Sequence, residues 1–530
     1  MEPEIRTLVE IGDSMAALQS RADIVLERAR WASSIFQRLD RDQTMAIVDH
    51  VAKVAHANAD KYAKWAVEET GFGVVEHKKL KNELTTVPLV DYYRDQDFVN
   101  AQIDPGRKIV RIPRPAGVIL ALTPSTNPIA TVNFKVLMAL MTRNTIVVSP
   151  HPAARECCID AVLTLADAAV AAGAPNGCIQ VIEDPSIPLI EEFMGSPKTS
   201  LILATGGTAM VRSAYSSSNP AIGVGPGNAP VFVHTSADIN KAAQRIVDSK
   251  SFDNSILCTN ESVLITLPEA DSKLRQALKQ SGAHLCSDEE TERLRRLLFH
   301  ANGFNVACIG RDATWIANEC GFRVPSKTKI LVTPILQIGV EERLSREKLC
   351  PVLAYHVANN QKQALAQARA VLRLSGAGHS AAVHTMDEQV AIDYAHAVEA
   401  YRVVVNAPCS QGASGFETHL APTFTIGTGY FGRSSVGENI GPQHLVHWTQ
   451  MAYNSDVSAT FGDYSAVNHR FEGPLPEAPS GGLPEPAARK SAPPSVNLSQ
   501  SSVGGLDATA RAELRKLIAQ EIRDALKGGL

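Results

Sequence analysis

Short apolar runs alternate with helix-length segments over most of this chain, and that alternation constrains the fold more than any other feature. Residues 117–122, 145–149, 179–182, 201–205 and 230–233 form one set of runs; residues 262–266, 329–332, 353–357, 381–384 and 402–406 form a second. Apolar strands of this length, spaced by helices, predict parallel sheets covered on both faces. Residues 20–68 and 153–172 are Ala-rich with helical periodicity and supply covering layers. Two α/β domains are the economical architecture between about residues 20 and 472, and no internal repeat is visible.

Charge and cysteine usage exclude several classes. Lys+Arg total 51 against 55 Asp+Glu, a formal net charge of −4, so no basic excess is available to hold nucleic acid. Apolar stretches such as 117–122 fall far short of the ~20 residues that span a bilayer. The start, Met1-Glu-Pro-Glu, lacks the basic-then-apolar order of a secretory signal. Nine cysteines, at 157, 158, 178, 258, 286, 308, 320, 350 and 409, show no CxxC pair and no metal-ligand spacing. They read as reduced cytosolic thiols, most of them packing residues, and no metal is expected.

Two glycine patterns invite a dinucleotide. Gly427-Thr-Gly429-Tyr-Phe-Gly432 matches GxGxxG, yet the residues after it do not look like the helix that should receive a pyrophosphate. Better placed are Gly206 and Gly207, which join the apolar run 201–205 to a helical segment whose free N–H groups favour phosphate. A plain strand-to-helix turn reads equally well from these residues alone.

Composition changes near the end. Residues 473–505 contain 7 Pro, 5 Gly and 6 Ser in 33 positions and read as a flexible linker. Beyond it, Ala510, Leu514, Leu517, Ile518, Ile522, Ala525 and Leu526 recur at helical spacing, with Asp507 able to cap the start and Gly528 the end. Such a short helix on a tether is marginal alone, so its apolar stripe suggests folding into a partner's groove. Docking on its own core, or disorder without a role, are the plain alternatives; the near-balanced charge argues against a membrane surface.

Several ordered stretches resemble the aldehyde dehydrogenase superfamily, and more narrowly its CoA-acylating branch. They are Thr123-Pro-Ser-Thr-Asn127-Pro128, Ala221-Ile-Gly-Val-Gly-Pro-Gly-Asn228, Ser251-Phe-Asp-Asn-Ser-Ile-Leu-Cys258-Thr-Asn-Glu261 and Glu347-Lys-Leu-Cys-Pro351. Gly376-Ala-Gly-His379-Ser and the run from Leu201 to Gly207 resemble the acylating branch in particular. The similarity covers roughly residues 20–470. It implies an aldehyde dehydrogenase-like α/β fold: two Rossmann-type doubly wound domains plus a small oligomerisation arm, followed by the linker and the amphipathic helix. The implied division is 1–228 for N-terminal helices and the NAD-binding domain, 229–425 for the catalytic domain and 426–472 for a return and oligomerisation region. Residues 473–505 are then the linker and 506–530 the helix.

The resemblance also implies roles. Cys258 matches the nucleophile that forms a thiohemiacetal and then a thioester. Asn127 matches the amide that, with the Cys258 N–H, holds the oxyanion, a donor worth ~2.7–4 kcal/mol of barrier. His379 matches a helper near CoA or the thioester, and Glu347 a carboxylate that binds the nicotinamide ribose. Thr123, Pro124, Ser149, His151, Gly206 and Gly207 fall on the cofactor side. Cys350 and Cys409, the rival thiols, stand where relatives carry small residues and read as packing.

The departures choose the branch. Hydrolytic relatives carry a general-base Glu where Val224 stands, so the thioester should survive until the thiol of coenzyme A attacks it in a ping-pong cycle. Ser149-Pro-His151-Pro replaces the Lys that many relatives direct at the adenosine ribose, so NAD is favoured and NADP stays open. Similar enzymes are packaged in bacterial microcompartments through a tethered amphipathic helix. Residues 506–526 fit that part better than residues 4–19, implying a shell protein or other cargo as partner. The expectation is a cytoplasmic, NAD-linked, CoA-acylating oxidoreductase for short aldehydes, propionaldehyde first and acetaldehyde second, as a homodimer or homotetramer. A hydrolytic aldehyde or semialdehyde dehydrogenase, and a non-catalytic scaffold, are the alternatives.

Overall fold

The computed structural model describes residues 14–300 and 303–464, with Pro474 and Pro479 as two isolated further positions. The linker and the helix expected at 506–530 lie outside the described residues. Of the weaker candidate at 4–19, only the last residues are described; Ser14 caps and Met15 opens the helix Met15–Phe36.

Two parallel sheets carry the architecture. The first has five strands in the spatial order Ile179–Val181, Thr145–Ser149, Val118–Leu122, Leu201–Thr205, Ala221–Val224. Counted along the chain, that is third, second, first, fourth, fifth, the doubly wound order of dinucleotide-binding folds. The order reverses between Val118–Leu122 and Leu201–Thr205, and the crevice beyond the carboxyl ends of those strands is where such sheets hold ligands. Alternate residues enter opposite cores: Ile119, Ala121, Ile146 and Val148 on one face, Val118, Leu120, Val147 and Ile202 on the other. That two-sided burial is why these runs lack a polar side.

The second sheet has seven parallel strands, ordered Ala283–Leu285, Ile330–Pro334, Val352–Val357, Glu261–Thr266, Ala229–Val233, Gly378–His384, Ala400–Val405. It too has a core on each face, with Phe232, Val263 and Val352 on one and Val231, Leu264 and Leu353 on the other. Two strands of these parallel sheets were not expected. Ala283–Leu285 is a three-residue edge strand, and Ala221–Val224 lies inside the glycine-rich motif 221–228. Gly378–His384 starts three residues before the expected 381 because Gly378 and Ser380 already pair with the next strand.

The helical stretch 20–68 is three helices, Met15–Phe36, Arg41–Ala57 and Ala59–Thr70, the second opened by an Asp40 capping box. Pro128–Met141 is buried along all 14 residues, the central helix of the first sheet. A three-stranded antiparallel sheet, Gln102–Asp104, Ile109–Pro115 and Val446–Ala452, brings the end of the described chain back beside the entry to the first sheet. Its last strand is largely exposed. No helix among the described residues is long and apolar enough to cross a membrane.

Candidate active site

Of the nine free cysteines, eight are buried and only Cys258 is half-buried. It lies in the turn that leads into the strand Glu261–Thr266, and the backbone before it is unusual. Asp253, Asn254 and Ser255 all have left-handed φ, at 49°, 52° and 62°. Non-glycine residues in that region cost on the order of 1–3 kcal/mol each, so the surrounding structure must hold them. The fully buried Asp253 carboxylate accepts from Val74 N at 2.6 Å, Lys78 Nζ at 3.2 Å and Lys81 Nζ, while Asp253 N donates to His77 Nδ1 at 2.9 Å. Asn254 Nδ2 donates to Gly310 O at 2.8 Å. Burial opposes ionisation of Asp253, but Lys78 and Lys81 outweigh it and hold the carboxyl below its usual range.

Three loops close on Cys258 at distances that exclude side chains. A Cβ on Gly227 would stand 2.0 Å from Cys258 O, and one on Gly376 (φ +96°) would stand 2.4 Å from Asn228 N. Glu347 Oε1 accepts from Gly227 N at 2.9 Å. Burial pushes the Glu347 carboxyl up to about 8, against that hydrogen bond and the charges of Lys250 and Lys348. Burial, and then the negative charge of Glu347, push the Cys258 thiol up to about 12; Arg402 and Lys81 pull the other way. The resting thiol is therefore protonated.

His379 is wholly buried, with Nδ1 2.7 Å from Ser380 Oγ and Nε2 without a protein partner. Burial and the neighbouring Arg402 push it down to about 3, so the ring is neutral. No hydrogen bond joins it to Cys258. Arg402 links them: its guanidinium donates to His379 O at 2.8 Å, Gly378 O at 2.6 Å, Gly437 O at 3.0 Å and Gly427 O, and it is an electrostatic neighbour of the thiol. The GxGxxG of 427–432 thus serves this hub. It opens one 3-10 turn, Tyr430–Gly432, and among the described residues no longer helix follows.

The cofactor-side candidates gather at the switch point of the first sheet. Thr123 N and Oγ1 both donate to Ser149 O, at 3.1 and 3.2 Å, and Pro124 follows. His151 Nδ1 accepts from Ala153 N at 3.1 Å and caps the next turn. Gly207 is the N-cap of Thr208–Ser216 and places no side chain over its first turn, and Thr205 Oγ1 beside it is buried without a partner. Below, Lys135 Nζ donates to Leu122 O at 2.7 Å and Leu203 O at 2.8 Å, tying the two strands that flank the switch point. Asn127 begins Pro128–Met141 without capping it; its Oδ1 accepts from Lys81 Nζ.

Sequence reasoning did not find Lys81, Asp253, Arg402 or Lys135. Lys81 lies in a Lys-rich segment that reads as a solvated face, and Arg402 in a strand run that reads as structure. Val224 is 3% exposed at the end of its strand and brings no carboxylate. Cys350 and Cys409 are both wholly buried. Elsewhere, His284, Cys286 and Glu290 bring three ligand atoms within 4.8 Å of one another, a proximity that sequence spacing did not show. His284 Nε2 lies 3.0 Å from Glu290 Oε2, and that carboxylate also closes a capping box with Ser287.

A doubly wound sheet of dinucleotide-binding order, beside a second parallel sheet that presents one half-buried thiol, defines a two-sheet α/β oxidoreductase class. The aldehyde dehydrogenase family profile matches residues 4–451, and the chain belongs to that family. It is 38% identical over 424 residues to an aldehyde-alcohol dehydrogenase of Clostridium acetobutylicum, covering 79% of this chain and 48% of that protein. The chain thus spans about half the length of the first curated relatives it matches. With a succinate-semialdehyde dehydrogenase (acetylating) of Clostridium kluyveri it shares 36% identity over 432 residues, 81% of this chain and 95% of the relative. Among solved structures, an acetylating aldehyde dehydrogenase of Geobacillus thermoglucosidasius superposes with TM-score 0.81 at 36% identity, covering 83% of this chain and 98% of that one. A propionaldehyde dehydrogenase from the fucose-utilisation microcompartment of Clostridium phytofermentans gives 0.75 at 29% identity, covering 82% and 97%. One from Rhodopseudomonas palustris, with bound CoA and an acylated cysteine, gives 0.74 at 28% identity, covering 82% and 97%.

Proposed function

We propose that this chain is a CoA-acylating aldehyde dehydrogenase that oxidises a short aliphatic aldehyde, propionaldehyde before acetaldehyde, to the acyl-CoA. The observation that carries the reading is Cys258, the least buried thiol of the nine, in a chain that carries Val224 where hydrolytic relatives place a general-base Glu. The uncapped start of Thr208–Ser216, with the orphaned Thr205 Oγ1 next to it, fits a dinucleotide phosphate. Gly206, Gly207, Thr123, Pro124, Ser149 and His151 would hold NAD or NADP there, with Glu347 on the nicotinamide ribose. Bound nicotinamide would supply the hydride acceptor.

Cys258 gives its proton to solvent, its sulfur bonds to the aldehyde carbon as the C=O π bond breaks, and the carbonyl oxygen takes the negative charge. Asn127 and the Cys258 N–H hold that oxygen. Loss of hydride from the carbon leaves a thioester on Cys258. The thiol of CoA then attacks the acyl carbon, its proton passes to the departing Cys258 thiolate, and His379, whose Nε2 has no protein partner, is the helper we assign to that transfer. Hydrolytic release is the second reading, favoured by Glu347, a carboxyl that raises the thiol and that burial pushes up to about 8. We also propose the division at 228 and 425, oligomerisation through the 426–472 region, and residues 506–530 as an encapsulation helix. Purified protein given propionaldehyde and NAD is expected to sustain NADH formation only when CoA is added. Sustained turnover to free acid without CoA would replace this reading with the hydrolytic one.

A further inference from the structure

Asn127 occupies the N-cap of Pro128–Met141, where an Asn side chain ordinarily accepts from the N2 or N3 backbone N–H. Here it makes no such bond. Its oxygen is taken instead by Lys81, from the helix Val75–Leu84. Lys81 and Lys78, three residues apart on one helix face, both donate to Asp253 Oδ2, and Lys78 Nζ also donates to Thr126 O at 3.0 Å. Both ammonium groups thus span from the turn before Cys258 to the segment that carries Asn127. All three ionic side chains are nearly inaccessible, with Lys81 and Lys78 each 3% exposed and Asp253 wholly buried.

An amide has an acceptor end and a donor end, and side-chain packing alone distinguishes them poorly. An ammonium has donors only. With Lys81 seated on Asp253, the Oδ1 end of Asn127 must face it and the Nδ2 end must face away. One Nδ2 hydrogen reaches Thr126 Oγ1 at 3.3 Å, which leaves the other for a ligand. Two lysines share one carboxylate, which leaves a net positive charge beside Asn127 while both are protonated, although burial pushes Lys81 down to about 8.

We infer that Lys81 is a positioning residue for the Cys258 reaction, fixing through Asp253 which end of the Asn127 amide is offered to the reacting carbonyl. The inference rests on the reading that Asn127 holds the oxyanion. Lys81→Met removes the donor while Lys78 still neutralises Asp253. CoA-dependent NADH formation by the full chain is to be measured for Lys81→Met, Asn127→Ala and the pair.

Each single change is expected to lower kcat by about 10²–10³-fold, the loss typical of one oxyanion donor, with KM little changed. The pair is expected to stay within about three-fold of either single, as for two residues that act as one unit. Alkylation of Cys258 by iodoacetamide develops no oxyanion and should slow by no more than about ten-fold in Lys81→Met, one pKa unit's worth. A displaced thiol loop would lose alkylation as well. If Asn127→Ala is harmless, the oxyanion reading fails and the inference with it. If Asn127→Ala is damaging but Lys81→Met is not, or their losses multiply, the inference alone is overturned. Should Lys81→Met not fold, Lys81→Gln, which keeps a donor of similar reach, takes its place. It is expected to stay within ten-fold of the parent, and multiplicative loss with Asn127→Ala overturns the inference in the same way.

Discussion

The ionisation of Cys258 can be followed by alkylating the protein with iodoacetamide between pH 7 and 11. The thiol is pushed up to about 12 from an ordinary 9.0, first by burial and then by the Glu347 charge. At pH 8 the thiolate fraction is then ~1 in 10⁴ rather than ~1 in 10, a shift of about 4 kcal/mol at 1.36 kcal/mol per unit. Because the folded protein favours the protonated thiol, the alkylation rate should rise close to ten-fold per pH unit across the whole range, with no plateau near 9. Selectivity follows from access. The other eight cysteines are buried, and exposing them by global unfolding requires ~5–15 kcal/mol, which outweighs the ~10³-fold smaller thiolate fraction of Cys258 by about five-fold at the low end and ~10⁸-fold at the high end, so their labelling should be slower at pH 8. Intact mass with peptide mapping would then show one adduct per chain, on Cys258, lost in Cys258→Ala and unchanged in Cys409→Ala. Glu347→Gln, by removing the second cause, should speed labelling above about pH 8, where Glu347 is ionised. A plateau between pH 8 and 9, or first labelling at Cys350 or Cys409, would refute the electrostatic and steric argument together.

Two other perturbations probe the frame around the thiol and the tail. Gly378→Ala would set a Cβ 1.7 Å from Thr428 O at a φ of +82°, displacing the carbonyl that Arg402 holds. Overpacking and a left-handed residue together should cost ~2–5 kcal/mol, read as a lowered urea midpoint, and an unchanged midpoint would contradict the Arg402 hub. If residues 506–530 are the proposed encapsulation helix, deleting residues 473–530 is expected to leave kcat within about two-fold while abolishing co-fractionation with shells. Loss of folding on deletion would instead place the tail on its own body.

The strand runs were legible because a sheet buried on both faces leaves no polar side to blur them, as at Val118–Leu122, where all five residues are buried. Short or glycine-rich strands escaped: Ala283–Leu285 is too brief for any period to show, and Ala221–Val224 is masked by its motif. Cys258 was legible through the residues around it, and its exposure then separates it from eight other thiols. The supporting charges were not. Lys78, Lys79 and Lys81 are alike in sequence, yet Lys79 has a 44% exposed side chain while its two neighbours are buried on Asp253. Only the meeting of Val75–Leu84 with the left-handed turn at 253–255 makes that distinction, and no local pattern records it.

The central claim is that acyl transfer stops at Cys258 until a thiol arrives. With propionaldehyde and NAD but no CoA, the protein should release one burst of NADH equal to its Cys258 content, carry an acyl group on that residue by mass spectrometry, and then stall; CoA should restart it and yield propionyl-CoA. Continued NADH formation without CoA, accompanied by free propionate and an unmodified Cys258, would contradict the account.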